Sequence, residues 1–94
     1  MKEAKLKKEV KILTVEANGK TKEDAVGKIF TLFRKKVQEE TPGVIIKLEP
    51  LETYLLDIQE EKKIERFLEI FMPREKTNYL IKMEIEYEIK YIKL

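Results

Sequence analysis

The sequence predicts an α+β fold, one helix packed on one face of a mostly antiparallel sheet, in the order β-α-β-β-β. Three observations predict it. Residues 21–40 carry an amphipathic stripe with a start and a stop signal. Residues 79–91 place an apolar side chain at every odd position. The segments between them alternate apolar and polar residues and are bounded by turn chemistry.

The elements follow in order. Residues 1–8 are polar and lysine-rich and read as a flexible lead-in. "VKILTVEA" mixes two alternation phases, Val10 and Ile12 against Leu13, Val15 and Ala17. A first strand must therefore be buried on both faces near Ile12, or a bulge must reset its register there. Asn18-Gly19 ends it. Thr21 is a good N-cap, and Asp24 three residues on completes a capping-box pattern. Val26, Ile29, Phe30, Phe33 and Val37 then recur at helical spacing. Gly27 offers a close approach to a sheet, and Thr41-Pro42-Gly43 stops the helix.

Val44, Ile46 and Leu48 open a second strand, and Tyr54, Leu56 and Ile58 continue its even phase beyond Pro50. Proline has no N–H for a ladder, so this segment, one bent strand or two short ones, belongs at an edge or is kinked there. Residues 60–72 fit a helical stripe through Ile64, Phe67, Leu68 and Phe71. They also fit a strand face through Ile64, Leu68, Ile70 and Met72, and the strand that follows favours this second reading. "FMPREKTNY" then reads as a hairpin tip. In the last strand Tyr79, Ile81, Met83, Ile85, Tyr87, Ile89 and Tyr91 share one face, opposite Lys82, Glu84, Glu86, Glu88 and Lys90.

Composition excludes several chemistries. The chain has 94 residues, 43% apolar and 40% charged, which suits one domain, 1–94, with a modest core. It contains no Cys, His, Ser or Trp. The usual ligands of zinc, haem and most transition metals are therefore missing. Serine and cysteine nucleophiles and histidine base catalysis are excluded, which leaves only Glu- or Lys-based chemistry. We expect a non-enzyme with no cofactor and no metal. A net charge of +2 spread over interleaved Lys and Glu gives no footprint for nucleic acid. No apolar run approaches the roughly 20 residues of a membrane span, and "MKEAKLKKEV" lacks a signal-peptide core. The expectation is a cytoplasmic protein.

Each candidate group has a bland reading beside it. Lys2, Lys5, Lys7, Lys8 and Lys11 suit phosphate or acidic lipid, but a solubilising tail explains them better. Glu49, Glu52, Asp57, Glu60, Glu61 and Glu65 suit a hard cation, yet they lack EF-hand spacing and have lysines among them. Arg74 and Lys76 suit an anion clamp, though a charged turn needs no ligand. Tyr79, Tyr87 and Tyr91 share one strand face and suit stacking on a flat ligand; a core or a subunit interface explains them better. The strand length favours the interface. Thirteen residues span about 43 Å, whereas a compact chain of this size has a radius of gyration of about 12 Å and a diameter near 30 Å. The expectation is a homo-oligomer through the C-terminal strand.

Two resemblances add to this. A strand, the "NGKTKEDAV" helix start and "PGV" opening a β segment, over about residues 10–48, resemble dodecin, a small flavin-binding oligomer of strand–helix–strand–strand layout. The tryptophan that stacks on flavin in dodecins is absent here. The whole chain, through "GKTKEDAV", "IIKLEPLE" and "FLEIFMPREKTNYLIKMEIEYEIK", is similar to a family of short bacterial proteins described only as a domain of unknown function. That resemblance implies an accessory role, beside membrane proteins and enzymes of sugar-acid use, and carries over no catalytic residue. The functional expectation is a non-enzymatic oligomeric interaction or assembly subunit of a bacterial accessory system, with a possible protein partner. The alternative is a dodecin-like oligomer that binds a flat or anionic small molecule.

Overall fold

The computed structural model describes residues 5–65 and 74–94. Its elements are β1 (Leu6–Gly19), α1 (Lys22–Glu40), β2 (Val44–Glu65) and β3 (Arg74–Ile92). The three strands form one antiparallel sheet of order β1-β3-β2. The α+β class and the single helix among the described residues agree with expectation, but the strands described number three where four are expected. The segments read apart, 44–58 and the start of 60–72, are one continuous β2. Single-residue register shifts between Ile45 and Lys47, Pro50 and Glu52, and Leu55 and Asp57 absorb the irregularities, so pairing with β3 runs on to Glu65. The remainder of 60–72 and Pro73 lie outside the described residues.

Further corrections concern strand ends and register. Residues 6–8, expected in a flexible lead-in, already pair with β3 from Leu6 opposite Ile92. The β1–β3 register is unbroken to Gly19, so no bulge resolves the two phases of β1. Nor is Ile12 buried on both faces. Leu13, Val15 and Ala17 point to the helix side, whereas Ile12 is 61% exposed on the open side of the sheet. The stretch 71–79 is not a hairpin tip over its second half, since β3 begins at Arg74.

Local chemistry sets α1 as expected. Thr21 Oγ1 accepts the Asp24 N–H at 3.0 Å. The Asp24 carboxylate reaches one residue further back than in a standard capping box and accepts the Lys20 N–H at 3.1 Å. At the other end Thr41 donates through both its N–H and its hydroxyl to the Val37 carbonyl. Thr21→Ala should cost about 1 kcal/mol, read as a lower urea midpoint with unchanged slope. The Lys20 N–H, and behind it the Lys28 ammonium 3.4 Å away, hold the Asp24 carboxyl below its usual range. Its contribution is therefore present above the unfolded carboxylate pKa and is lost as acid protonates it.

The buried face of α1 is Ala25, Ile29, Phe33 and Val37, with Val26 and Phe30 half-buried beside it. These pack against β1 and β3 around Val15, Ile81, Ile85, Tyr87 and Ile89. The Phe33 and Tyr87 rings meet edge to face, 5.0 Å between centroids and 76° between planes. The close helix–sheet approach falls at Gly19, where an added Cβ would lie 2.6 Å from the Ala25 nitrogen. Gly27 does not serve it: the space around Gly27 is open.

The sequence places an overhang on residues 79–91, but those residues pair on both sides and the chain extends instead through the β2–β3 ribbon. The radius of gyration is 19.2 Å and the longest dimension 78 Å, against about 12 Å for a compact chain of this length. At 19 residues α1 is about 28 Å long, whereas β3, also 19 residues, spans about 63 Å. Beyond Gly19, which pairs with Tyr79, β2 and β3 continue as a paired ribbon that is described as far as Glu65 opposite Arg74.

Candidate functional site

The helix leaves β2 uncovered. α1 lies over β1 and β3, and β2 forms the far edge of the sheet. The register shows which side each β2 residue takes, because paired residues share a face. Ile45, Leu48, Pro50, Thr53, Leu55 and Ile58 stand opposite Tyr91, Ile89, Tyr87, Ile85, Met83 and Ile81, on the helix side. Lys47, Glu49, Glu52, Tyr54 and Asp57 stand opposite even-numbered β3 residues, on the open side. Between them Ile46, Leu51 and Leu56 are the bulged residues that oppose nothing.

This sorts the strand into an apolar helix side and a polar open side. No ionisable residue occupies a helix-side position from Ile45 to Ile58. The result is a shelf beside the helix, half-buried at Ile45 and Leu48 and open further along, where Leu55 is 56% exposed. The even phase read from the sequence joined Val44, Ile46 and Leu48 on one face, and it failed because each bulge resets the alternation. A five-residue pattern was present in the sequence all along. "IIKLE", "PLETY" and "LLDIQ" each place the bulged aliphatic second and a polar open-side residue third.

The expected site residues do not come together. Arg74 and Lys76 lie in the ribbon, opposite Glu65 and Lys63. Tyr91 is 15 residues or more along the same strand, about 50 Å away in an extended chain. Tyr79 is half-buried, with the Lys22 ammonium 5.9 Å from its ring centroid. Tyr87 and Tyr91 belong to the core under α1, at 3% and 8% exposure. The face they share is thus already covered within the chain. Between Tyr79 and Ile92 the strand is also hydrogen-bonded on both sides, so β3 offers no edge there to another subunit. The unpartnered apolar surface lies one strand away, on β2.

The sequence pattern of a domain of unknown function, DUF4312, matches residues 9–92. The chain belongs to that family. No curated protein and no solved structure matches the chain. The DUF4312 match runs from within β1 to the end of β3, so it takes in the helix, the core and the whole described shelf.

Two polar features flank the core of this DUF4312 domain. On the helix side Glu9 accepts the Tyr91 hydroxyl at 3.3 Å and has its other oxygen 3.2 Å from the Lys11 ammonium. Burial pushes the Tyr87 and Tyr91 hydroxyls above the usual phenol range, and the Glu9 carboxylate adds to this at Tyr91. An unfolded tyrosine ionises near pH 10, before the folded one. Stability is therefore complete below that pH and falls as pH rises through it. Urea unfolding across this range should show the fall, and Tyr87→Phe with Tyr91→Phe should flatten it.

On the open side Lys8, Lys90 and Lys47 align across the three strands, each 3.9–4.0 Å from the Glu88 carboxylate in the next row. Lys47 also pairs with Glu49 at 2.9 Å. These exposed ions balance one another and suit a wet sheet face. An open cleft of about 560 Å³ is lined by Glu16, Ala17 and Asn18 of β1, Lys28, Thr31 and Leu32 of α1, and Leu80 of β3. Among the described residues no helix is long and apolar enough to cross a membrane.

Proposed function

We propose that this protein is a non-enzymatic assembly subunit that works as a homo-oligomer, in the cytoplasm, as an accessory component of a bacterial system. One observation carries the reading. The chain exposes 7445 Å², whereas a compact monomer of its 11.2 kDa exposes about 5,700 Å². Part of what the chain exposes is apolar and lies on β2, where Leu51, Leu55, Leu56 and Ile58 are 38–56% exposed, a surface that a lone soluble chain rarely keeps open. Sedimentation velocity at micromolar concentration tests this. The expected mass is a multiple of 11.2 kDa; a single-chain mass would sink the proposal.

A second reading has one observation in its favour. The observed order, strand–helix–strand–strand, is the layout that the dodecin resemblance implied. On that reading the oligomer holds a flat or anionic ligand at its subunit junctions. Flavins, nucleotides and sugar acids are the probes for a thermal-shift assay, and purified protein with no chromophore and no shift would count against it.

A further inference from the structure

We propose that a second copy of the chain docks on the β2 shelf face to face about a two-fold axis, through side chains and not by adding a strand to the edge. This rests on the homo-oligomer reading and names the surface and the mode. The copies would bury Leu55 and Ile58 against their own equivalents, in the step between β2 and the Phe30 flank of α1.

Two observations carry the inference. The first concerns the edges. A strand recruits another by presenting an unbroken row of N–H and C=O groups, and bulges, prolines and inward-pointing charges defeat this. β2 is interrupted at Ile46, Leu51 and Leu56 and carries Pro50 between them. The β1 edge has an unbroken register, but Lys7, Glu9 and Lys11 occupy its helix-side positions opposite Tyr91, Ile89 and Tyr87. Along the part of the sheet where all three strands pair, both edges are guarded, and the bulges that guard β2 set Ile45, Leu48, Leu55 and Ile58 on one face.

The second observation is charge. In a two-fold contact each patch meets a copy of itself, so charges near the axis face their like. The helix-side positions of β2 from Ile45 to Ile58 carry no charge, whereas the open side over the same length carries Lys47, Glu49, Glu52 and Asp57. The helix side can meet its own copy with no charge near the axis.

Substitution and cross-linking test the proposal together. Leu55→Lys and Ile58→Lys place charges on the shelf, and Val10→Lys and Ile12→Lys place them on the open side of β1. All four positions are solvent-accessible in the single chain, so circular dichroism should remain that of the parent. The shelf variants should sediment at single-chain mass and the β1 variants at the parent mass. The chain has no cysteine, so single-cysteine variants are clean reporters. Under oxidation Leu55→Cys should form a covalent dimer, and Tyr54→Cys, its neighbour on the opposite face, should not. A parent that is itself monomeric overturns the homo-oligomer reading and this proposal with it. An oligomeric parent that keeps its mass in both shelf variants overturns the shelf alone. Equal cross-linking from positions 54 and 55 overturns the face-to-face mode in favour of strand addition.

Discussion

Phe33→Ala should lower the unfolding free energy by about 3–5 kcal/mol, the usual cost of removing a large buried ring. Several features place the effect at this end of the range for a single substitution. Phe33 is 1% exposed, the largest fully buried side chain among the described residues. It joins the two halves of a small core, edge to face with Tyr87 on β3 and with Phe30 on its own helix. Since domains of this size have only about 5–15 kcal/mol in hand, urea unfolding should show a large fall in midpoint. Phe30→Ala, at a half-buried flank position, should cost clearly less.

Gly43→Ala is the second large effect. Thr41-Pro42-Gly43 turns the chain from α1 into β2, and Gly43 does so at φ 152°, a conformation that side chains rarely adopt. Even with that strain accepted, a methyl group there would collide with the Ile92 carbonyl oxygen at the end of β3. The backbone strain alone is worth about 1–3 kcal/mol, and the forced shift of a backbone contact adds a similar amount. The first pairs of the β2–β3 ladder, Val44 with Ile92 and Ile45 with Tyr91, must then open or tilt. Chemical denaturation should show the loss. Gly27→Ala is the matched control: its surroundings are open, its backbone is helical, and it should stabilise by about 0.4–1 kcal/mol.

These two glycines illustrate what the sequence made legible. A glycine after proline at a helix end announces a turn, and Gly43 fills that role. A glycine inside a helix suggests close packing, yet Gly27 faces solvent and the tight contact belongs to Gly19, which the sequence shows only as a strand end. α1 was legible because both its cap and its stripe are local signals. β3 was legible because its alternation is unbroken, but its central place in the sheet depends on pairing between residues far apart in sequence. β2 hid its faces because bulges break the period of two that a strand is read by, so its apolar side became visible only once register was known. The tyrosines were read as core or interface from one face of one strand. Whether that face met its own helix or another subunit was a matter of where α1 lay, and it lies over Tyr87 and Tyr91 rather than over Leu55.

The central claim is that the β2 shelf is covered by another copy of the chain in solution. Hydroxyl-radical footprinting of the unmodified protein reads it directly, residue by residue. In the single chain Leu55 and Ile12 are almost equally exposed, at 56% and 61%. At micromolar concentration Leu55 should be protected while Ile12 labels freely, and dilution should restore labelling at Leu55. Equal labelling of the two at every concentration would contradict the account.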